Sequence, residues 1–140
     1  MTTTDRPIPV PDATSEPFWA AAATHTLVLA RCARCHAINH PPGAVCAFCG
    51  TTDPAFEFTP AEGNGVVRSW TILRQSFLPG FEVPFVLVDV ELAAYEDVRL
   101  IGRLIDGADA PLRAGLPVSV LFEDIAPGVA APAFALEPTA

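Results

Sequence analysis

All four cysteines of this 140-residue chain lie in one stretch, as Cys32-x-x-Cys35 and, ten residues further on, Cys46-x-x-Cys49. Thiolates are soft ligands. Two such knuckles joined by a short hairpin bring four of them to the corners of a tetrahedron, the arrangement that structural zinc prefers. Four thiolates close the coordination sphere, so the site reads as structural, with no position open for water or substrate. Pro41, Pro42 and Gly43 supply a turn between the knuckles, and Gly50 follows the second where the backbone must bend tightly. Disulfides belong to secreted chains, and the N-terminus here lacks the basic start and apolar run of a secretion signal. That reading places the chain in the cytoplasm. A redox pair would explain one knuckle but not two in a proline-containing hairpin. Iron takes the same four thiolates as zinc, and spacing does not separate them.

No second chemistry competes with the cysteines. His25, His36 and His40 read as surface or supporting residues, and none is assigned a catalytic role. Asp106 and Asp109 sit in a "DGAD" turn, where aspartate is common for turn chemistry alone. No nucleophile–base constellation, phosphate-binding loop or HExxH motif is present, so the chain is not read as an enzyme. Eight arginines, no lysine and sixteen acids give a net charge of −8. Nonspecific nucleic-acid binding needs a basic surface, which argues against that class. No apolar run approaches the ~18 residues of a membrane span.

The elements that must position the knuckles can be read around them. Residues 1–14, rich in proline and threonine, read as a flexible tail. Ser15 stands where a helix N-cap would be, with Glu16 and Pro17 in the first turn of a short helix over about 15–24. That helix carries Phe18 and Trp19, which need a surface to dock on. Residues 27–32 form the strand that enters the first knuckle. The segment 15–58 is thus a helix and metal ribbon, and 59–137 a second unit.

In that second unit strands are expected at "FEFTP", 66–75, 84–92, 98–105 and 116–124. Val86, Val88, Val90 and Leu92 alternate with Asp89 and Glu91, the period of two of a half-buried strand. Pairing Leu92 with Val98 places Glu91 opposite Arg99. Gly102 interrupts an apolar strand, as glycines do at barrel corners. Five strands without an intervening long helix fit a five-stranded Greek-key barrel of the OB type, with a split open sheet as the alternative.

The order "PFW", "LARCARC", "HPPGAVCAFCG", "GNGVVRSWTIL", "PFVLVDVEL", "AGLPVSVLFED" resembles the family of paired zinc-ribbon and acyl-CoA-associated OB-fold proteins, long catalogued as a domain of unknown function. The resemblance spans nearly all of 15–136. It implies a mainly β chain: a short N-terminal helix and a rubredoxin-like zinc ribbon, followed by a five-stranded OB-fold barrel. One structural Zn2+ per chain would be held by Cys32, Cys35, Cys46 and Cys49. Many relatives carry glycine after the first knuckle where this chain has His36, which implies a less tight knuckle.

The resemblance also implies a role. Members are accessory subunits or fused domains beside thiolase-fold enzymes: acyltransferases, hydroxymethylglutaryl-CoA synthase assemblies, and thiolases or aldolases of steroid side-chain breakdown. Others accompany acyl-CoA hydratase domains. The expected function is therefore a noncatalytic subunit that binds and stabilises a thiolase-fold acyl-CoA enzyme and helps frame its acyl-CoA site. Phe18, Trp19, Arg68, Arg74, Phe77 and Phe81 are the candidate partner or acyl-CoA contacts. The loop 74–85 either exposes Phe77 and Phe81 to a partner or tucks them under the barrel. Arg68 and Arg74, read as lying on one side of a strand, either meet CoA phosphates or pair with acids such as Glu82. Two other roles stand beside this: a free-standing acyl-CoA binder, and a single-strand nucleic-acid binder, which would need a basic groove lined with aromatics.

Overall fold

The computed structural model describes residues 6–138. Residues 1–5 of the expected tail lie outside the described residues. One helix and eight strands follow in order: α1 (Glu16–Ala22), β1 (Val28–Arg31), β2 (Ile38–Asn39), β3 (Glu57–Pro60), β4 (Asn64–Leu73), β5 (Phe85–Leu92), β6 (Arg99–Leu104), β7 (Pro117–Ala126) and β8 (Val129–Leu136). Strands β2, β1 and β3 form a small antiparallel sheet, and β4-β5-β6-β8-β7 close into a barrel. The chain is mainly β, a ribbon followed by a five-stranded barrel, as read from sequence. No helix among the described residues is long and apolar enough to cross a membrane.

The five barrel strands are not the five anticipated. The segment "FEFTP" becomes β3, which pairs with β1 through Val28↔Pro60 to Arg31↔Glu57. It belongs to the ribbon's sheet, and the barrel's fifth strand is β8. Strand β8 reads "VAAPAFAL", with Pro132 in mid-strand and few β-branched residues, so its local signal is weak. It nevertheless pairs with β7 over most of its length and runs parallel to β6 at Arg103↔Ala133 and Leu104↔Phe134. Gly102 explains how it fits. A Cβ there would lie 2.9 Å from the Pro132 carbonyl oxygen and 3.2 Å from the Phe134 ring. The bare backbone of β6 thus admits Phe134, which is fully buried.

The alternation in β5 holds: Val86, Val88, Val90 and Leu92 are buried. They join Val67, Leu100, Leu104, Leu116, Val118 and Phe134 in one core, which also takes in Leu27 and Leu29 of the ribbon. Ribbon and barrel therefore share apolar burial. The register is also as read, with Glu91 opposite Arg99. The ion pairs are diagonal, however. Arg99 Nη1 donates to Asp89 at 2.6 Å, while Glu91 accepts from Arg68 Nε at 2.6 Å and from the Asp97 N–H at 3.1 Å. The Asp97 N–H first, and then Arg68, hold the Glu91 carboxyl below its ordinary range.

The helix is shorter than expected and is capped differently. Ser15 occupies the N-cap position without a side-chain capping bond. Asp12 Oδ1 instead accepts the N–H groups of Thr14 and Ser15 at 3.0 and 2.8 Å, and the Thr14 hydroxyl at 2.8 Å. These bonds, the hydroxyl's first, hold the Asp12 carboxyl down to about 2. The Ser15 hydroxyl in turn accepts the Asp12 N–H at 3.0 Å, so the two residues lock the turn that leads into the helix. Upstream, Arg6 reaches back to the barrel. It pairs with Glu123 at 3.1 Å and lies over the Phe81 ring at 4.9 Å. Burial alone would raise Glu123, but hydrogen bonds from Arg103 and Arg6 hold it below its ordinary value.

Candidate metal centre

Each C-x-x-C forms a tight knuckle, the first directly after β1 and the second after the loop that leaves β2. In the first, the His36 N–H returns to the Cys32 carbonyl at 2.8 Å. In the second, the Gly50 N–H returns to the Cys46 carbonyl at 3.0 Å. The two are near copies, and both need a left-handed residue after the second cysteine: His36 has φ 67° and Gly50 has φ 74°. The first knuckle is therefore as tight as the second, contrary to the looser geometry expected from histidine. The cost appears as backbone strain, about 1–2 kcal/mol for a residue with a Cβ. His36→Gly should remove it at an exposed position, less the extra freedom glycine brings to the unfolded chain. We expect the metal-loaded variant to gain about 1 kcal/mol, read as a rise of about 4 °C in thermal midpoint.

The four sulfurs lie within 4.8 Å of one another. Cys32 Sγ is 3.9 Å from Cys49 Sγ, and Cys35 Sγ is 3.7 Å from Cys46 Sγ. A tetrahedral ion with metal–sulfur bonds of about 2.3 Å requires sulfurs about 3.8 Å apart, the separation that these two pairs show, so the set suits zinc. Donors already point at the thiolates. The Arg34 N–H meets Cys32 Sγ at 3.3 Å, and the Phe48 N–H and Asn39 Nδ2 meet Cys46 Sγ at 3.4 Å. The Cys49 and Phe48 N–H groups and Asn39 outweigh burial and draw the Cys46 thiol down to about 6. At Cys35 the Ala37 N–H pulls the same way, but burial and the neighbouring thiols prevail and push it up to about 11. Four thiols this close cannot all ionise without a cation among them, which is the electrostatic demand a divalent metal meets.

Asn39 is a supporting residue that the sequence reading missed. It is buried, and besides its bond to Cys46 its Oδ1 accepts the Ala47 N–H at 2.8 Å. It ties β2 to the second knuckle. An asparagine inside the loop between knuckles was the available signal.

The candidate contact residues divide into separate groups. Phe18 packs against the core, meets Trp19 edge-on at 5.2 Å and lies 5.6 Å from the His40 ring. Trp19 lines a groove of about 230 Å³ with Pro9, Pro11 and Val129. Both are docked on this chain. Phe81 stacks on Phe85 at 4.9 Å and is half-buried, whereas Phe77, at the tip of the same loop, is 79% exposed beside exposed Leu78. The loop is therefore part plug and part open surface. A bulge between Val67 and Ser69 makes Arg68 the extra residue of β4. It shifts the alternation, so Arg68 and Arg74 do not share a row. Arg68 pairs with Glu91, and Arg74 is exposed without an ion pair among the described residues. Neither meets Glu82.

A cleft of about 420 Å³ separates the ribbon from the β5–β6 turn, walled by Asn39, His40, Phe48, Tyr95, Glu96 and Asp97. Two acids and no arginine on its walls make it a poor seat for CoA phosphates. His25 hydrogen-bonds Asp124 at 2.7 Å and stacks on Phe122.

Comparison with known proteins follows the two units. The model of the ChsH2 rubredoxin-like zinc ribbon domain matches residues 19–55, and that of the ChsH2 C-terminal OB-fold domain matches residues 58–123. A chain described as Ltp2-ChsH2(DUF35) aldolase superposes with a TM-score of 0.81 at 31% identity, over 91% of this chain and 98% of that one. A Thermomonospora curvata protein named "Probable enoyl-CoA hydratase alpha subunit" is 36% identical over 118 residues, 84% of this chain and 36% of that protein. The 3-oxo-4,17-pregnadiene-20-carboxyl-CoA hydratase alpha subunit of Mycobacterium tuberculosis is 32% identical over 107 residues, 76% of this chain and 33% of that protein. The chain thus spans about a third of the length of these curated relatives.

Proposed function

The chain belongs to the ChsH2 family of zinc-ribbon and OB-fold proteins, and from that premise we propose that it is a noncatalytic subunit of an acyl-CoA enzyme. In this reading it binds and stabilises a thiolase-fold partner of the thiolase, acyltransferase or steroid side-chain aldolase type, and helps frame the acyl-CoA site. One structural zinc ion per chain holds the ribbon. A hydratase partner is the nearest variant of the same role.

One observation carries the reading. The structure that this chain matches almost end to end is an aldolase whose name joins two components, Ltp2 and ChsH2. The residues agree with a subunit role. The metal site is built from four thiolates and leaves no open coordination position. Among the described residues no nucleophile lies beside a base in a cleft. Exposed Phe77 and Leu78 form an apolar tip that nothing among the described residues covers.

The test is co-purification of the tagged, zinc-loaded chain from its native cells, with bound proteins identified by mass spectrometry. We expect an acyl-CoA enzyme at near-equal stoichiometry, and Phe77→Asp with Leu78→Asp should lower that affinity by at least about tenfold, the scale of an anchor lost from an interface. A chain that stays alone, yet titrates stoichiometrically with an acyl-CoA ester, would overturn the reading in favour of an independent binder.

A further inference from the structure

Beyond the bulge at Arg68, strand β4 keeps one neighbour among the described residues. Strand β7 pairs with Asn64–Val66, and Val67 is bonded to Leu116 and Gly115. From Ser69 to Leu73 the described backbone partners all lie on β5. Among the described residues no strand pairs with the outer side of this stretch, which is therefore an open sheet edge. Natural proteins guard such edges with charge, proline or short length. Ser69-Trp70-Thr71-Ile72-Leu73 is guarded by its modest length and by the bulge at Arg68, and not by its own residues. It carries no charge and no proline, it is rich in strand-forming residues, and Ser69, Trp70 and Thr71 are exposed.

We propose that this edge accepts an extended strand from the partner subunit, with an uncharged centre and a carboxylate at its end; the inference rests on the subunit role proposed above. The charges choose the occupant. Arg68 and Arg74 bracket the stretch and no acid lies between them. Arg68 is already held by Glu91, so Arg74 is the charge left for an incoming carboxylate. A second copy is disfavoured by the same residues. Laying 68–74 antiparallel on itself about Thr71 sets Arg68 against the other copy's Arg74 at both ends, and like charges directly opposite destabilise a strand pair. Each copy also carries −8 overall. Main-chain bonds then supply affinity, and the side chains flanking them supply selectivity.

The test uses the full, zinc-loaded chain and two capped hexapeptides, Glu-Thr-Val-Thr-Val-Glu and Lys-Thr-Val-Thr-Val-Lys, read by residue-resolved amide exchange and NMR titration. The acid-ended peptide should slow exchange within 69–73 and bind about fivefold tighter than the lysine-ended one, a preference that fades with salt. Arg74→Glu should reverse the order without changing the fold. Unchanged exchange at 69–73 with either peptide would overturn the proposal, as would equal binding of the two. So would a dimer in sedimentation whose 69–73 amides are protected with no peptide present. Capture of an acyl-CoA enzyme that leaves these amides unprotected would sink this inference alone. A chain that captures no enzyme would sink the subunit role, while the peptides still decide the edge.

Discussion

Cys46→Ser is expected to release the metal and unfold the ribbon. Cys46 is buried and receives the N–H of Phe48 and the side-chain amide of Asn39. Serine keeps the size but not the soft thiolate, so the ion loses a ligand that water replaces poorly. The ribbon has little else to hold it. Between Cys32 and Pro54 the buried residues are two ligands, Asn39 and Pro54 itself. Binding of a structural zinc is worth about 10–16 kcal/mol at neutral pH, as much as an entire domain's stability. The damage should spread, because Leu27 and Leu29 enter the barrel core from the strand that leads into the first knuckle. We expect zinc content to fall to near zero, with fast amide exchange across 28–60 and a lower barrel midpoint. Chelation of the native chain should reproduce this. Because binding displaces thiol protons, zinc should also be lost as pH falls. A Cys46→Ser chain that keeps its exchange protection in the ribbon would refute this structural role of the metal.

The second large effect is expected at Gly65→Ala. Gly65 lies opposite Leu92, and a Cβ there would sit 2.3 Å from the Glu91 carbonyl oxygen and 2.8 Å from Val90 Cγ1. The oxygen cannot step aside, because Glu91 is held in the ladder by β4 on one side and β6 on the other. Relief requires β4 to move off β5, a pairing matched in extent only by β7–β8 in the barrel. Overpacking of this kind costs about 3 kcal/mol, about 10 °C in midpoint for a chain of this size. Gly43→Ala is the matched control. Its Cβ would find nothing closer than 3.9 Å, so the change should stay within about 0.5 kcal/mol. Equal midpoints for the two variants would show that β4 and β5 separate more easily than their register implies.

The metal centre was legible because its information is local. Ligand identity and spacing are chemical facts of residues 32–49, and a C-x-x-C can fold into few shapes. The β5–β6 hairpin was legible for the same reason: alternation and a short turn fix its register within twenty residues. The His36 knuckle was misjudged because residue type gives a preference for φ, not its value. The knuckle's hydrogen bond from His36 N–H to the Cys32 carbonyl holds histidine where glycine would be easier.

What sequence alone determined is therefore the four-cysteine site, the mainly β architecture and the facing of Val86, Val88, Val90 and Leu92. Each follows from short-range periodicity or ligand chemistry. Only the tertiary structure decided that β3 serves the ribbon, that alanine-rich β8 closes the barrel, and that Arg68 bulges out to leave Arg74 and an open edge beyond it. Those outcomes depend on which distant strand fills a gap. Gly102 makes room for Phe134 some thirty residues later, and a competition of that kind leaves no trace in any one segment's pattern.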